Sequence, residues 1–381
     1  MSVSRILPLS STVLNKERKQ KSKSTAQRLQ SLDVVRGITV ACMIMVNNGY
    51  RDSFEMLRHA DWNGLSVSDF VFPFFLFIMG VAMFLSFSKS NFVFSGKIFM
   101  KILKRTAILL FIGVAINWFD LAVYGGALNF AELRFWAVLQ RIAICYFFVS
   151  LIAFTFNRRF ILPLSIFLLI LYTAILTLGN GYSTVKEDNI LYVTDLNLFG
   201  DSHLYHKSAV DPEGLLSTIS AITNVLFGFY CGMKIKSLNN LISKSLSSFV
   251  FGTILLVSGF LINFFLPANK HIWSPSFALI TSGACALFIG IFIKWIDMDK
   301  YKGPFVSFFK VFGVNALLLY ITSEMMAIIF GAIGFSDFIF SVISSWVLIP
   351  PLASLCYALF YVLLNFIIGY PLWKKRIYVK L

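Results

Sequence analysis

The feature that most constrains this chain is a succession of long apolar runs separated by short polar breaks. They fall near 31–49, 68–88, 102–119, 134–154, 160–178, 215–233, 246–266, 275–295, 305–330 and 347–371. Each is close to the roughly 20 residues that an α-helix needs to cross a bilayer. Backbone polar groups in hydrocarbon must be satisfied within the protein, so runs of this length predict helices rather than open strands. The expected fold class is all-α: a polytopic membrane helical bundle of about ten transmembrane helices. With 58% hydrophobic and 13% charged residues, the chain falls well short of the roughly 25% charged residues of an average soluble domain.

The distribution of charge supports that count. Lys89, Lys97, Lys101, Lys104 and Arg105 separate runs two and three, Arg158 and Arg159 separate four and five, and Lys234, Lys236 and Lys244 separate six and seven. Lys300 and Lys302 separate eight and nine, whereas 120–133 and 331–346 contain no Lys or Arg. Such alternation is the positive-inside pattern and predicts both termini on the cytoplasmic side. It also accounts for the net charge of +15 without a nucleic-acid partner. Residues 1–28 are basic with no long apolar run, and read as a disordered cytoplasmic tail rather than a signal peptide. The rest, 29–381, is expected to be one membrane domain with two substantial outer loops, 50–67 and 179–214.

The five cysteines (Cys42, Cys145, Cys231, Cys285, Cys356) each stand alone in an apolar run, without the spacing of metal ligands or a redox pair. No metal site is expected. Ser31 or Asp33 can cap the first helix, whose first turn also holds Arg36 on the face of Asp33. Asn47 follows Asp33 by fourteen positions, nearly four helical turns, which puts both on one stripe about 21 Å apart along the axis. An amide in lipid needs a partner, so Asn47 stands out more than the Asp–Arg pair, which also suits a plain headgroup-level contact.

Beyond the first run comes RHADWNGLSVSDFVFPFF at 58–75. His59 lies beside Trp62, Asn63 and Gly64, before a helix start near Ser68 or Asp69 that favours negative charge. Within the runs, Arg134, Arg141, Asn224, Asn315 and Glu324 are the polar exceptions, and ionisable groups at membrane depth are functional candidates. Arg134 and Arg141 are two turns apart and point the same way, either to hold phosphates or to pair with Glu324. Asp211 and Glu213 open the sixth run, placed either to bind a sugar or simply to favour a helix N-terminus.

These blocks carry a resemblance. SLDVVRG at 31–37, VNN at 46–48, HADWNGLSVSDFVFPFFLFIMG at 59–80, LQRIAICYF at 139–147, GDSHLYHKSAVDPEGLLSTI at 200–219, SPSFALITSG at 274–283 and GVNALLLYITS at 313–323 together resemble the heparan-α-glucosaminide N-acetyltransferase family. More distantly, SLDVVRG resembles the wider superfamily of membrane acyltransferases that acylate sugars. The family resemblance implies a membrane bundle that moves an acetyl group from cytoplasmic acetyl-CoA, as co-substrate, to a sugar amine on the far side. It implies His59 as the catalytic residue, with Asn47 and Asp33 matching the family's VN and SLD motifs.

The resemblance also suggests a homodimer, and a bacterial-type inner membrane is the expected location. The luminal domain of the animal enzymes is expected to have no counterpart here. Asn47 stands where the distant acyltransferases carry histidine, and Asp61 adds a carboxylate to the HAxWNG block. On the acetyl-CoA reading, Arg36, Lys104, Arg105, Arg134 and Arg141 are candidates for the phosphates, and Trp62, Asn63, Asp211 and Glu213 for a small-molecule or glycan acceptor. A transporter for a sugar or its derivative is the competing reading. It lacks the internal repeat and the paired broken helices common in that class.

Overall fold

The computed structural model describes residues 29–125, 130–205 and 208–379, so the basic tail expected over 1–28 lies outside the described residues. The helices are α1 (Gln30–Asn47), α2 (Val71–Phe87), α3 (Gly96–Gly125), α4 (Val138–Thr155), α5 (Ile161–Leu178), α6 (Ile190–Phe199) and α7 (Ser217–Ser237). They continue with α8 (Leu241–Asn263), α9 (Pro275–Phe292), α10 (Pro304–Val314), α11 (Ala316–Ala332), α12 (Phe335–Trp346) and α13 (Pro350–Lys374). The protein is a polytopic helical bundle.

Each of the ten expected runs has a helical counterpart. Among the described residues, eight helices are long and apolar enough to cross a membrane, and α10 with α11 makes a ninth if that bent pair is one span. The run at 31–49 is α1, which is not among them; Gln30, Asp33, Arg36 and Asn47 dilute its apolar content. Its neighbours explain how it tolerates them, since α2, α10, α11 and α13 pack around it. The run at 305–330 is broken, with α10 and α11 meeting at 79°. Asn315 sits at the break with φ −118° and ψ 42°, outside helical geometry. Its side chain donates to Ile377 O and accepts from Val379 N, at 3.0 and 2.9 Å, which fastens the C-terminal segment to the bend.

Neither Ser31 nor Asp33 caps α1. The Asp297 carboxylate, just beyond α9, accepts from the Gln30 and Ser31 amides at 2.8 and 3.2 Å, supplying the negative charge that a helix N-terminus favours.

Close helix contacts rest on glycine. A Cβ at Gly37 in α1 would run into the Phe309 carbonyl of α10, and one at Gly313 into the Asp33 carbonyl of α1. Gly80 and Gly228 make the same reciprocal approach between α2 and α7. In lipid, where apolar burial gives little drive for helices to associate, small residues let backbones approach and gain dispersion contacts. These two crossings fix α1 and α2, the elements that carry or adjoin Asn47 and His59.

Candidate active site

The segment between α1 and α2 is shaped by its own polar groups. Ser66 and Asp69 form a capping box: the Ser66 amide and hydroxyl both donate to Asp69 Oδ2, at 3.0 and 2.9 Å, satisfying groups that a helix start leaves open. The Ala60 amide reaches the same oxygen at 3.3 Å. Asp69 is fully buried, and its Oδ1 lies 2.7 Å from His59 Nδ1. A carboxylate oxygen accepts, so His59 carries its proton on Nδ1 and keeps the Nε2 lone pair for chemistry. Ser68 Oγ donates to Arg58 O at 2.8 Å and lies 3.0 Å from His59 Nδ1. The result is an imidazole with a fixed tautomer and a side chain still 43% exposed.

Trp62 and Asn63 brace this segment rather than line the cavity beside His59. Trp62 Nε1 donates to Tyr182 O at 3.2 Å, and its ring stacks on His271 at 5.5 Å. Asn63 accepts from Asn269 Nδ2 at 3.2 Å, and the Gly64 amide donates to Ala268 O at 2.8 Å. The expected acceptor-binding role therefore has no geometric support for this pair. Their visible work is to hold the 58–70 segment against the loop between α8 and α9.

His59 lines a cavity of about 120 Å³ with Asn47, Ser68, Glu213, Lys270 and Tyr320. Asn47 Nδ2 donates to Glu324 Oε1 at 2.9 Å; that gives the amide its partner and leaves a second N–H. Lys270, unremarked in the sequence, brings its ammonium to 2.9 Å from both His59 nitrogens and 3.6 Å from Asp69 Oδ1. Burial draws the Lys270 ammonium below the ordinary lysine range, against the opposing pull of Asp69 and Glu213.

Arg134 and Arg141 correct two expectations. α4 begins at Val138, so Arg134 lies before the helix and the two are not stacked on one helical face. Neither reaches Glu324. Arg134 grips Asp211 through Nε and Nη2 at 3.1 and 2.6 Å, and Nη2 also meets Glu213 Oε2 at 2.9 Å. Arg141 is wholly buried, bonded to Gly214 O at 3.0 Å and to the Ser217 hydroxyl, with its guanidinium over the Trp273 ring. Burial works against Glu213 as a carboxylate, but Arg134 and then Arg141 outweigh it and hold its carboxyl below the usual carboxylate range. These arginines thus organise the turn that opens α7 and present Glu213 to the His59 cavity. The Arg134 charge is paired with Asp211 and Glu213, and neither arginine lines the larger cavity described below.

Asp33 also parts from the site. It is at the other end of α1, about 21 Å from Asn47 by helical rise, where it pairs with Arg36 at 3.7 Å. Arg36 donates to Gly313 O at 3.1 Å and, with Arg105, lines a larger cavity of about 380 Å³. Arg105 also lies over the Tyr146 ring, 4.6 Å from its centroid. Lys104 is exposed and lies outside this cavity.

The two cavities share their walls. Val138 of α4 lines the small one, and Ile142 and Tyr146, one and two turns on, line the large one. Along α2, Val71 and Phe72 give way to Phe75, Ile78 and Met79, and along α11 Tyr320 gives way to Leu317 and Ala316. The bundle thus has an arginine-bearing cavity at one end and a histidine–carboxylate site at the other, stacked along the same helix faces. The eleven residues from Arg36 to Asn47 set the separation at about 17 Å.

A polytopic membrane bundle with a tautomer-locked histidine at one end and a basic cavity behind it is the class this geometry defines. The chain is similar to the heparan-alpha-glucosaminide N-acetyltransferase family. The family model described as heparan-alpha-glucosaminide N-acetyltransferase, catalytic, matches residues 28–199, a stretch that includes Asn47, His59, Asp69 and Arg134. Over 364 residues the chain is 29% identical to the heparan-alpha-glucosaminide N-acetyltransferase of Mus musculus, covering 80% of this chain and 54% of that protein. The Homo sapiens protein of the same name is 29% identical over 360 residues, covering 78% and 53%. The chain spans about half the length of the curated relatives it matches.

Proposed function

We propose that this protein is a transmembrane acetyltransferase that takes an acetyl group from acetyl-CoA at its arginine-bearing end and delivers it to the amine of a sugar at its His59 end. The observation that carries the reading is the stacking of the two cavities on common faces of α2, α4 and α11, with opposite chemistries at the ends. Arg36 and Arg105 are the groups for the CoA phosphates, as charge-assisted donors above an apolar cavity suited to the rest of the cofactor. The acetyl thioester reaches the small cavity, where His59 Nε2 takes the proton that the acceptor amine loses on attack. Asn47, with an N–H to spare, and Lys270 face the carbonyl oxygen as it gains negative charge.

Purified protein should release CoA thiol from acetyl-CoA when an amino sugar such as glucosamine is supplied, and not with glucose. Movement of the sugar across vesicles without acetyl-CoA consumption would turn the assignment to a transporter.

Sidedness follows from the positive-inside pattern, which assigns the arginine-bearing end to the cytoplasm. With the native cysteines removed, Ser202→Cys should react with an impermeant thiol reagent on intact cells and Ser90→Cys should not. Equal labelling would overturn that orientation.

A further inference from the structure

Lys270 sits in the loop between α8 and α9, and its neighbours hold that loop firmly. Asn263 Oδ1 accepts from the Ala268 amide at 2.7 Å, Asn269 bonds to Asn63 at 3.2 Å, and the Asn269 amide donates to Ser274 Oγ at 3.0 Å. The lysine side chain is 13% exposed. Its nitrogen is equidistant from both imidazole nitrogens, whose lone pairs diverge, while Nδ1 already faces Asp69. One ammonium cannot bond along both directions, so this is a close approach across the ring. Among the residues lining the small cavity Lys270 is the sole primary amine.

We infer that Lys270 is an acetylation site of the protein itself, filled when acetyl-CoA is present and the sugar acceptor is not. This rests on the proposed transfer, because it uses the same thioester and the same base. The ε-amine attacks the thioester carbon, the C–N bond forms as the C–S bond breaks, and CoA leaves as the thiol. The proton shed by the amine passes to His59 Nε2 and from there to the departing thiolate sulfur. An acetyl group carried briefly on His59 would meet the same amine, and the product is again a stable amide.

The groups that face Lys270 are His59, Asp69, Glu213 and His271. Asp69 and Glu213 favour the ammonium, which protects the lysine, whereas burial favours the free amine. Acetylation therefore rises with pH and begins at lower pH than for a solvent-exposed lysine. Once formed, the amide removes the cation beside Asp69 and occupies the cavity. The enzyme then stalls, which limits acetyl-CoA use when acceptor is scarce.

The test incubates the full-length protein in detergent with isotope-labelled acetyl-CoA and no sugar. Neutral hydroxylamine clears acyl-imidazole, and mass spectrometry of the digest then reads each lysine. Lys270 should label at least about tenfold faster than exposed Lys97 and Lys236, as expected for a positioned reaction partner, with the rate rising as pH is raised. His59→Gln should bring Lys270 down to the rate of the exposed lysines, and Lys270→Arg should leave that peptide unlabelled. Labelling of Lys270 no faster than Lys97 or Lys236 would overturn the inference. Sugar turnover is measured in parallel. Turnover with Lys270 at background sinks this inference alone, while rapid Lys270 labelling without sugar turnover sinks the acceptor assignment and leaves it standing.

Discussion

His59→Ala is expected to lower acetyl transfer by about a hundredfold or more, the usual scale for loss of a general acid–base group. In the proposed transfer the sugar amine sheds a proton as it attacks the thioester, and His59 is placed to take it: Asp69 lies 2.7 Å from Nδ1, and Ser68 and Lys270 crowd the ring from other sides. Steady-state rates at saturating acetyl-CoA and acceptor give the comparison. Because the His59 side chain is 43% exposed, its removal should leave the unfolding midpoint in detergent nearly unchanged. Acetyl-CoA affinity should also hold, since Arg36 and Arg105 lie at the far end of the bundle. Asp69→Asn offers an internal check, because it keeps the shape but no longer selects the Nδ1 tautomer, and it should lose a large part of the same activity. Near-full activity in His59→Ala would end the assignment, and His203, whose Nδ1 meets Leu133 O at 2.7 Å, would be examined next.

The second large effect is on stability. Arg134→Met should destabilise the protein by about 3 kcal/mol, the low end for breaking a buried ion pair by removing one partner. Asp211 is only 2% exposed and Glu213 12% as side chains, whereas Arg134 is 25% exposed, so partial access to solvent softens the loss. Two carboxylates are then left facing each other without their cation, beside Asp195, whose Oδ1 accepts from the Leu215 amide at 3.1 Å. The unfolding midpoint in detergent measures this. Adding Asp211→Asn and Glu213→Gln to Arg134→Met should recover much of the loss, because the three changes remove the unpaired charge together. If the triple variant is no more stable than Arg134→Met, the cluster is not held by charge. Glu213 also reaches the His59 cavity, so the single variant should weaken transfer as well.

The helices were legible from local chemistry. An apolar run long enough to span a bilayer has one economical way to satisfy its backbone, and α2, α3, α5, α8, α9 and α13 appear where the runs are. His59 stood out as a candidate beside Trp62, Asn63 and a helix start, and the family resemblance implied its role. Asp69 was visible only as a helix cap. Its second role, ten residues from His59, depends on how the Ser66 capping box turns its other oxygen toward the ring. The break at Asn315 was hidden because its cause, the contact with Ile377 and Val379, lies more than sixty residues further along the chain.

What the sequence determined by itself was the class of structure, because hydropathy acts within one segment. Which charge meets which was decided by the tertiary structure alone. Arg134 and Arg141 read as a pair on one helix, yet they meet Asp211, Glu213 and Gly214 from another part of the chain. Lys270, one cation in a loop, came within 2.9 Å of His59 only when α8 and α9 brought that loop over α2. Ion pairs form between side chains that packing brings within a few ångströms, and sequence separation carries no record of that distance.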